Sequence, residues 1–314
     1  MLTVNELSKN YGDFVAVDRI SFSAAAGQVF GLLGPNGAGK STAINCISGL
    51  LKPTSGHASV AGHDVVSDGK AARSKLGVVP QELALYDDLP AIENLRFWGK
   101  AYGLGGKELN DRVAEVLETI GLGDRATDLP KEFSGGMKRR LNFGCGVVHK
   151  PPVILLDEPT VGVDPQSRAR LFDLVEAERD AGACVLYTTH YMEEAERLCD
   201  SLAIIDHGKL IAQGSVAELR AKLGARDVLQ LTGHFPVEPT KQAIAALIER
   251  GNADLEFLAQ QEDSITLTLS QASQHLPAIY EAVAGTGGSV TETSLRSPNL
   301  ETLFLLLTGK ELRE

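Results

Sequence analysis

The chain has 314 residues, of which 43% are apolar, and it carries a formal net charge of −11 at pH 7. This length allows one large domain and a smaller one, and the apolar fraction is typical of a globular protein rather than a disordered one. The acidic balance argues against a nucleic-acid-binding protein, which usually presents a basic surface.

The sequence also indicates where the protein works. No apolar run approaches the roughly 18 residues of a transmembrane helix. The N-terminus, Met1 to Glu6, lacks the basic and apolar regions of a signal peptide. The cysteines are scattered without paired spacing, which is typical of reduced thiols in a cytosolic protein. We therefore expect a cytoplasmic protein.

The first segments alternate apolar and polar residues, a pattern that predicts antiparallel strands and hairpins. These segments are residues 2–4, 14–17 and 20–24. Tyr11 lies in the first turn between them. Its ring either packs on the sheet or stacks on a nucleotide base, and the residues alone leave both alternatives open.

A glycine-rich loop follows an apolar run, residues 29–33, and precedes a helix-compatible segment, residues 43–50. The loop reads Gly34-Pro35-Asn36-Gly37-Ala38-Gly39-Lys40-Ser41-Thr42. Strand, loop and helix in this order match the phosphate-binding pattern G-x-x-x-x-G-K-[ST]. The glycines let several amides point into one concavity, Lys40 can reach the β- and γ-phosphates, and the Ser41 hydroxyl can ligate Mg²⁺. The alternative is a glycine-rich turn before a helix; we predict a nucleoside triphosphate site.

Three later strands end in polar residues that can serve such a site. These residues are Gln81 after the strand at 76–80, Asp157 and Glu158 after the strand at 153–156, and His190 after the strand at 184–188. Open α/β folds place ligands at this carboxyl edge. Asp157 can hold Mg²⁺, and Glu158 can accept a proton from an attacking water. Gln81 and His190 are either solvated loop residues or contacts to a water and to the γ-phosphate.

The residues from about 89 to 150 are predicted to be mainly helical, with apolar residues at helical spacing. This segment includes Phe133-Ser134-Gly135-Gly136-Met137. Ser134 is a suitable N-cap, and the two glycines expose the first amides of the following helix. Such a helix start attracts anions, with Lys138, Arg139 and Arg140 adding positive potential. A cap with an exposed basic face would explain the stretch without any ligand.

From residue 226 the pattern becomes β-α-β-β-α-β, followed by a last helix. The strands are predicted at 228–231, 255–259, 265–269 and 290–294, and the helices at 240–250, 273–284 and 299–307. This order predicts a small ferredoxin-like split-βαβ domain, a fold that does not identify a function. We therefore expect two domains, 1–225 and 226–314, of which the second is an accessory or regulatory α+β domain.

Taken together, the motifs resemble those of an ATP-binding subunit of an ABC transporter over about residues 1–220. The motifs in question are the phosphate loop, Gln81, the Phe-Ser-Gly-Gly-Met stretch, the Asp157-Glu158 strand end, Asp164 and His190. The fold that this resemblance implies is an α/β P-loop NTPase with a mixed sheet core, an antiparallel β subdomain and a helical subdomain at about 89–150.

The resemblance also implies roles for individual residues. The implied ATP-binding residues are Tyr11, Gly34, Pro35, Asn36, Gly37, Ala38, Gly39, Lys40, Ser41, Thr42, Ser134, Gly135, Gly136 and Asp164. The implied Mg²⁺ ligands are Ser41, Gln81 and Asp157, and the implied catalytic residues are Glu158, His190 and Gln81. Tyr11 would stack on adenine, and Gln81 would couple the nucleotide to a membrane partner.

In the family, the Ser-Gly-Gly stretch contacts the ATP bound by the opposite subunit, and Asp164 would lie at the dimer seam. The family stretch usually reads Leu-Ser-Gly-Gly-Gln, and here Phe133 and Met137 replace its ends. Met137 cannot donate hydrogen bonds as a glutamine would, so the backbone amides and Ser134 remain as the contacts to expect.

The tail, which includes Pro298-Asn299-Leu300-Glu301-Thr302-Leu303-Phe304 near its end, resembles that of the drug- and polymer-exporting, daunorubicin-resistance-like branch of the family. We therefore expect an ATPase that is peripheral on the cytoplasmic face of a membrane and dimerises, as a homodimer or with a paralogue. It would drive a separately encoded permease, most simply for export, and would have no nucleic-acid partner.

Three alternatives remain. A soluble ABC ATPase of translation or DNA repair is disfavoured by the single phosphate loop and the acidic charge. A nucleotide-gated module without turnover is disfavoured because Glu158 and His190 are both present. A GTPase is disfavoured because the chain has no Asn-Lys-x-Asp motif.

Overall fold

A computed structural model of the chain describes residues 1–221, 227–249, 255–260, 263–270, 272–296 and 299–308. The chain divides into a first unit, Met1–Gln213, and a second unit, Gly214–Glu314. The boundary expected between residues 225 and 226 lies outside the described residues. Within the described ranges, no helix combines the length and the apolar character needed to cross a membrane.

The first unit contains two sheets with helices packed against them. Its strands are β1 (Leu2–Tyr11), β2 (Phe14–Ala24), β3 (Gln28–Leu33), β4 (Ser55–Val60), β5 (His63–Asp64), β6 (Leu76–Val79), β7 (Val153–Asp157), β8 (Cys184–Thr189), β9 (Ser201–Asp206) and β10 (Lys209–Ser215). Its helices are α1 (Lys40–Ile47), α2 (Gly69–Ser74), α3 (Ala91–Ala101), α4 (Gly106–Thr119), α5 (Gly135–Val147), α6 (Pro165–Asp180) and α7 (Met192–Leu198), and short 3₁₀ turns lie at Gly123–Arg125 and Pro130–Glu132.

The larger sheet positions the site. Its strand order is β10-β9-β3-β8-β7-β6, and the strands from β9 to β6 pair in parallel. Residues of β7 and β8 are buried throughout, as expected for parallel strands covered on both faces. Because parallel strands end at the same edge of a sheet, the residues that follow β3, β6, β7 and β8 meet there.

The smaller sheet is antiparallel, in the order β2-β1-β4-β5, and shares a hydrophobic core with the larger one. The rings of Phe22 in β2 and Phe30 in β3 stack at 4.9 Å. Helix α1 buries Ile44 and Ile47 in the same core. The helix that follows the glycine-rich loop is therefore held by both sheets.

The strands of the first hairpin are longer than the sequence predicts. The sequence predicts separate strands at residues 14–17 and 20–24, but β2 runs through Asp18 and Arg19 without a break, with Arg19 at φ 49°. The pairing of β1 and β2 absorbs this residue through register shifts. A bulge lets one strand carry an unpaired residue without ending, which a turn-like dipeptide does not reveal.

The second unit has the predicted order of elements. Its described elements are α8 (Val216–Ala221), β11 (Asp227–His234), α9 (Val237–Glu249), β12 (Glu256–Gln260), β13 (Ser264–Leu269), α10 (Ala272–Gly285), β14 (Ser289–Arg296) and α11 (Leu300–Thr308). The antiparallel sheet order β12-β13-β11-β14 agrees with the predicted split-βαβ fold. Helix α11 packs against α8 and β12 and buries Leu300, Leu303 and Phe304.

Replacing Gly77 with alanine should destabilise the first unit. A Cβ on Gly77 in β6 would collide with the carbonyl oxygen of Gly146 in α5 and would lie 2.7 Å from Pro151 Cγ. We expect Gly77→Ala to lower the free energy of unfolding by about 1–3 kcal/mol, measured by denaturant unfolding.

Gly285→Ala is the matched control, because no atom lies within 4 Å of a Cβ at this helical position. It should leave stability unchanged or raise it by up to about 1 kcal/mol. Equal free energies of unfolding for the Gly77→Ala variant and the wild type would contradict this prediction, because they would show that β6 and α5 can move apart without destabilising the unit.

Candidate functional site

The glycine-rich loop is shaped by close backbone contacts. A Cβ on Gly34 would collide with the carbonyl oxygen of Ile205, and a Cβ on Gly39 would lie 2.5 Å from the carbonyl oxygen of Ala16. Gly39 also has φ 108° at the N-cap of α1, a conformation that favours glycine. The loop and the first residue of α1 therefore follow a path that larger residues at these positions would disrupt.

Lys40 is the buried charge at the centre of the site. Its side chain is only 4% exposed, and Nζ donates to the carbonyl oxygens of Gly34 at 2.6 Å and Pro35 at 3.0 Å. The same nitrogen lies 2.9 Å from Glu158 Oε1. A buried ammonium needs such partners, because an unpaired one carries a large desolvation cost.

The two acids after β7 are held by β8. Thr188 accepts a hydrogen bond from the Glu158 amide at 3.0 Å and donates its hydroxyl proton to Asp157 Oδ1 at 2.7 Å. Glu158 has φ 44°, a left-handed conformation that is uncommon outside glycine. Thr188 was not among the predicted site residues, although its place at the end of a buried strand was a usable signal.

His190 lies directly beside Glu158. Its Nδ1 is 3.2 Å from Glu158 Oε2, and both side chains are largely buried. One carboxylate thus contacts Lys40 through Oε1 and His190 through Oε2. Of the residues predicted to be catalytic, the structure joins Glu158 and His190 in one cluster with Lys40.

The residues predicted to hold Mg²⁺ differ in their burial. Asp157 is buried at the strand end, and Ser41 is half-buried in the first turn of α1. Gln81 is exposed, and its backbone carbonyl accepts from Arg139. Carboxylate, hydroxyl and amide oxygens are the ligands that Mg²⁺ prefers, so the donor set fits this ion. Within the described residues, no three His, Cys, Asp or Glu side chains are grouped as a metal site.

The Ser-Gly-Gly stretch begins helix α5, as the sequence predicts. The Ser134 hydroxyl accepts from the Met137 amide at 3.3 Å. Gly135 is exposed, and no atom lies within 4 Å of the position that a Cβ would take there. Gly136 differs, since a Cβ at this residue would collide with the side chain of Ser167 in α6. The start of α5 therefore lies directly against the start of α6.

Asp164 caps that neighbouring helix. Its Oδ1 accepts from the amides of Gln166 at 3.1 Å and Ser167 at 3.0 Å. The Ser167 hydroxyl, and then these amides, hold the pKa of Asp164 below its ordinary value. The carboxylate is thus fixed at a helix N-terminus, where the helix dipole also favours negative charge.

Arg139 joins α5 to two loops of the site. Its guanidinium donates to the carbonyl oxygen of Gln81 and, at 3.1 Å, to that of Val161. Burial lowers its pKa from the ordinary value. The sequence predicts only that Arg139 contributes positive potential. Its carbonyl acceptors lie in loops far away along the chain, so a local sequence pattern does not indicate them.

Tyr11 ends β1 with 49% of its side chain exposed. The Lys9 ammonium lies 5.3 Å from the centre of its ring, within the range of a cation–π contact. The ring is therefore not buried against the sheet. Its contact with adenine stays a prediction.

Comparison with known proteins places this geometry in a family. The model of the ABC transporter family matches residues 17–161. The linearmycin resistance ATP-binding protein LnrL of Bacillus subtilis is 45% identical over 322 residues, with all of both chains covered. The Nod factor export ATP-binding protein I of Cupriavidus metallidurans is 37% identical, covering 100% of this chain and 99% of the relative. The daunorubicin/doxorubicin resistance ATP-binding protein DrrA of Streptomyces peucetius is 38% identical, covering 96% and 91%.

Solved structures agree with these relatives. An ATP-binding subunit of an ABC transporter superposes with a TM-score of 0.66 at 33% identity, covering 71% of this chain and 93% of that one. An ATP-binding cassette of an ABC transporter in its ADP conformation superposes with a TM-score of 0.63 at 25% identity, covering 69% and 92%. Sequence motifs, fold and relatives agree, and the chain belongs to the ABC transporter family as an ATP-binding subunit with ATPase activity.

Proposed function

We propose that this chain powers an exporter from the cytoplasmic face of a membrane. Two copies, or one copy and a paralogue, would close around two ATP molecules and drive a separately encoded permease. The names of its relatives, which include resistance to linearmycin and daunorubicin and export of Nod factor, support export. The observation that carries the catalytic part of the proposal, hydrolysis of ATP at this site, is the buried contact of Glu158 with both Lys40 and His190.

In this proposal, Lys40 connects nucleotide binding to the ion pairing of Glu158. Its ammonium already donates to two loop carbonyls and pairs with Glu158. Phosphate oxygens carry more negative charge than carbonyl oxygens, so a bound triphosphate would compete for these protons. As Lys40 turns to the phosphates, Glu158 loses its cation and retains its contact with His190.

In that state Glu158 is the general base of our proposal. A carboxylate free of its ammonium partner can accept the proton of a water that attacks the γ-phosphate. His190, held at 3.2 Å, would orient Glu158 and sense the γ-phosphate. The backbone of Glu158 has a left-handed conformation, and its amide donates to Thr188. This conformation sets the direction in which the Glu158 side chain points from the end of β7.

The remaining polar groups complete the nucleotide site in this proposal. Ser41 and Asp157, with Gln81, would hold Mg²⁺, which neutralises part of the phosphate charge when bound. The backbone amides after Pro35 in the phosphate loop would bind the phosphates, and Tyr11 would stack on adenine. Thr188 keeps one Asp157 oxygen occupied and so orients the other.

Glu158→Gln should abolish most turnover without preventing ATP binding. The amide keeps the size of the side chain but cannot accept the proton. We expect ATP hydrolysis by the full-length chain with its permease to fall by about 10²–10⁴-fold, which is about 3–5 kcal/mol of barrier. Hydrolysis is measured as phosphate release, and binding as the dissociation constant of ATP.

The matched control is Glu193→Gln, which makes the same change at an exposed position of α7. Its turnover should equal that of the wild type. Turnover of the Glu158→Gln variant within about threefold of the wild type, well short of the usual effect of a general base, would refute the role of Glu158.

A mixing experiment tests whether each site is shared between two subunits. Lys40→Ala damages the phosphate side of a site, and Gly135→Asp places a negative charge at the exposed start of α5. Gly135 is preferred to Gly136, where any side chain would collide with Ser167 of the same chain. A mixed dimer would contain one site with both defects and one with neither.

We therefore expect each variant alone to be inactive and the mixture to recover ATPase activity. Gly135→Ala serves as the control for the loss of glycine itself and should remain active. If heterodimers form, as detected with two affinity tags, and every mixture is inactive, independently active shared sites are excluded.

The second unit is proposed to contribute to dimerisation or regulation rather than to nucleotide chemistry. The residues assigned to ATP lie at or before His190. A chain ending at Ser215 keeps all of β10 and removes α8, which packs against α11. This shortened chain should fold and bind ATP with nearly unchanged affinity, measured by calorimetry, while its dimerisation or its transport-coupled turnover changes. Loss of ATP binding with circular dichroism still showing a folded chain would contradict this separation.

A further inference from the structure

Helix α7 buries one acid and exposes its neighbour. Glu194 is only 2% exposed, whereas Glu193 faces solvent. A glutamate is rarely buried to this degree unless it is paired, because removing a carboxylate from water is costly. Glu194 has no role in the mechanism proposed above, so its burial calls for another explanation.

Three hydroxyl groups converge on one oxygen of this carboxylate. Thr160 and Tyr187 donate to Glu194 Oε2 at 2.9 Å each, and Thr189 donates at 3.0 Å. Thr160 belongs to the loop between β7 and α6, whereas Tyr187 and Thr189 belong to β8. Glu194 therefore connects the loop after β7 to the end of β8 at the carboxyl edge of the sheet.

The second oxygen of Glu194 faces a cation from a third element. Arg168 Nε of α6 lies 3.4 Å from Glu194 Oε1. The guanidinium of Arg168 also lies 5.2 Å from the centre of the Tyr191 ring. The Arg168 contact thus connects the first turns of α6 to the residue that follows His190.

These contacts hold residues that lie close in sequence to Glu158 and His190. Thr189, which donates to Glu194, also accepts a hydrogen bond from the Tyr191 amide at 2.9 Å, so both neighbours of His190 are held. Thr160 stands two residues after Glu158 and is tied to the same carboxylate oxygen. The loop of Glu158 and the loop of His190 are consequently fixed to one common point.

We propose that Glu194 is a positioning residue for ATP hydrolysis: it sets the distance between Glu158 and His190 through Thr160 and Thr189. This inference rests on the proposed roles of Glu158 and His190. A displacement of about 1 Å in such a pair can lower a rate by up to about 10²-fold. Glu194 itself touches neither nucleotide nor water in this assignment.

The test compares Glu194→Gln with Glu193→Gln in the full-length chain. Glutamine keeps the size of Glu194 but removes the charge that faces Arg168 and replaces one acceptor oxygen of the carboxylate with an NH₂ group, which only donates. We expect kcat to fall at least about tenfold, with KM for ATP within about twofold of the wild type. Glu193→Gln should leave both constants unchanged.

The rate is expressed per molecule able to bind ATP, determined by titration with a non-hydrolysable analogue. A role limited to folding would reduce the number of competent molecules and leave this rate unchanged. That result, or a kcat within about twofold of the wild type, would overturn the proposal.

A second pair of variants tests the same connection if Glu194→Gln does not fold. Thr189→Val removes the hydroxyl and keeps the shape of the side chain, and Thr189→Ser keeps the hydroxyl. Thr189→Val should lower kcat per competent molecule, and Thr189→Ser should restore most of it. Equal rates for these two variants would overturn the proposal.

A double variant separates this inference from the function on which it rests. If Glu194 acts through Glu158, adding Glu194→Gln to Glu158→Gln should lower the rate much less than it does alone. Wild-type turnover of Glu158→Gln would refute the proposed function itself. A slow Glu158→Gln with a normal Glu194→Gln would refute only the positioning role.

Discussion

The buried ammonium of Lys40 constrains the arrangement of the whole first unit. A charge removed from water must be paired, and the partners of Lys40 come from its own loop and from Glu158 after β7. The loop follows β3, so the ends of β3 and β7 must lie close together. They do so because β8 stands between them and pairs in parallel with both.

Residues at the end of the central strand β8 hold several of the site's side chains. Thr188 holds the backbone of Glu158 and the carboxylate of Asp157, while the next residue, Thr189, binds Glu194. His190 follows directly and contacts Glu158. Thr188, Thr189 and His190 thus connect the end of β8 to the acids after β7 and to α7. A small displacement of β8 would therefore change all of these contacts.

The second unit differs from the first in its sheet and in its core. Its four-stranded sheet is antiparallel and has a hydrophobic core of its own, formed with α9 and α10. Helix α11 buries Leu300, Leu303 and Phe304 within the same unit. An independent core explains why this part of the chain can be assigned a role apart from nucleotide chemistry.

The sequence by itself determined the element types, the parallel and antiparallel sheets, the phosphate loop and the placement of Glu158 and His190 at strand ends, because periodicity and glycine spacing are local properties. It did not determine the strand through Arg19, since a bulge absorbs a turn-like dipeptide. Nor did it indicate the roles of Arg139, Thr188 or Glu194, whose partners lie far away along the chain. Only the tertiary structure decided these contacts, because a buried polar group is satisfied by whichever elements the fold brings to it.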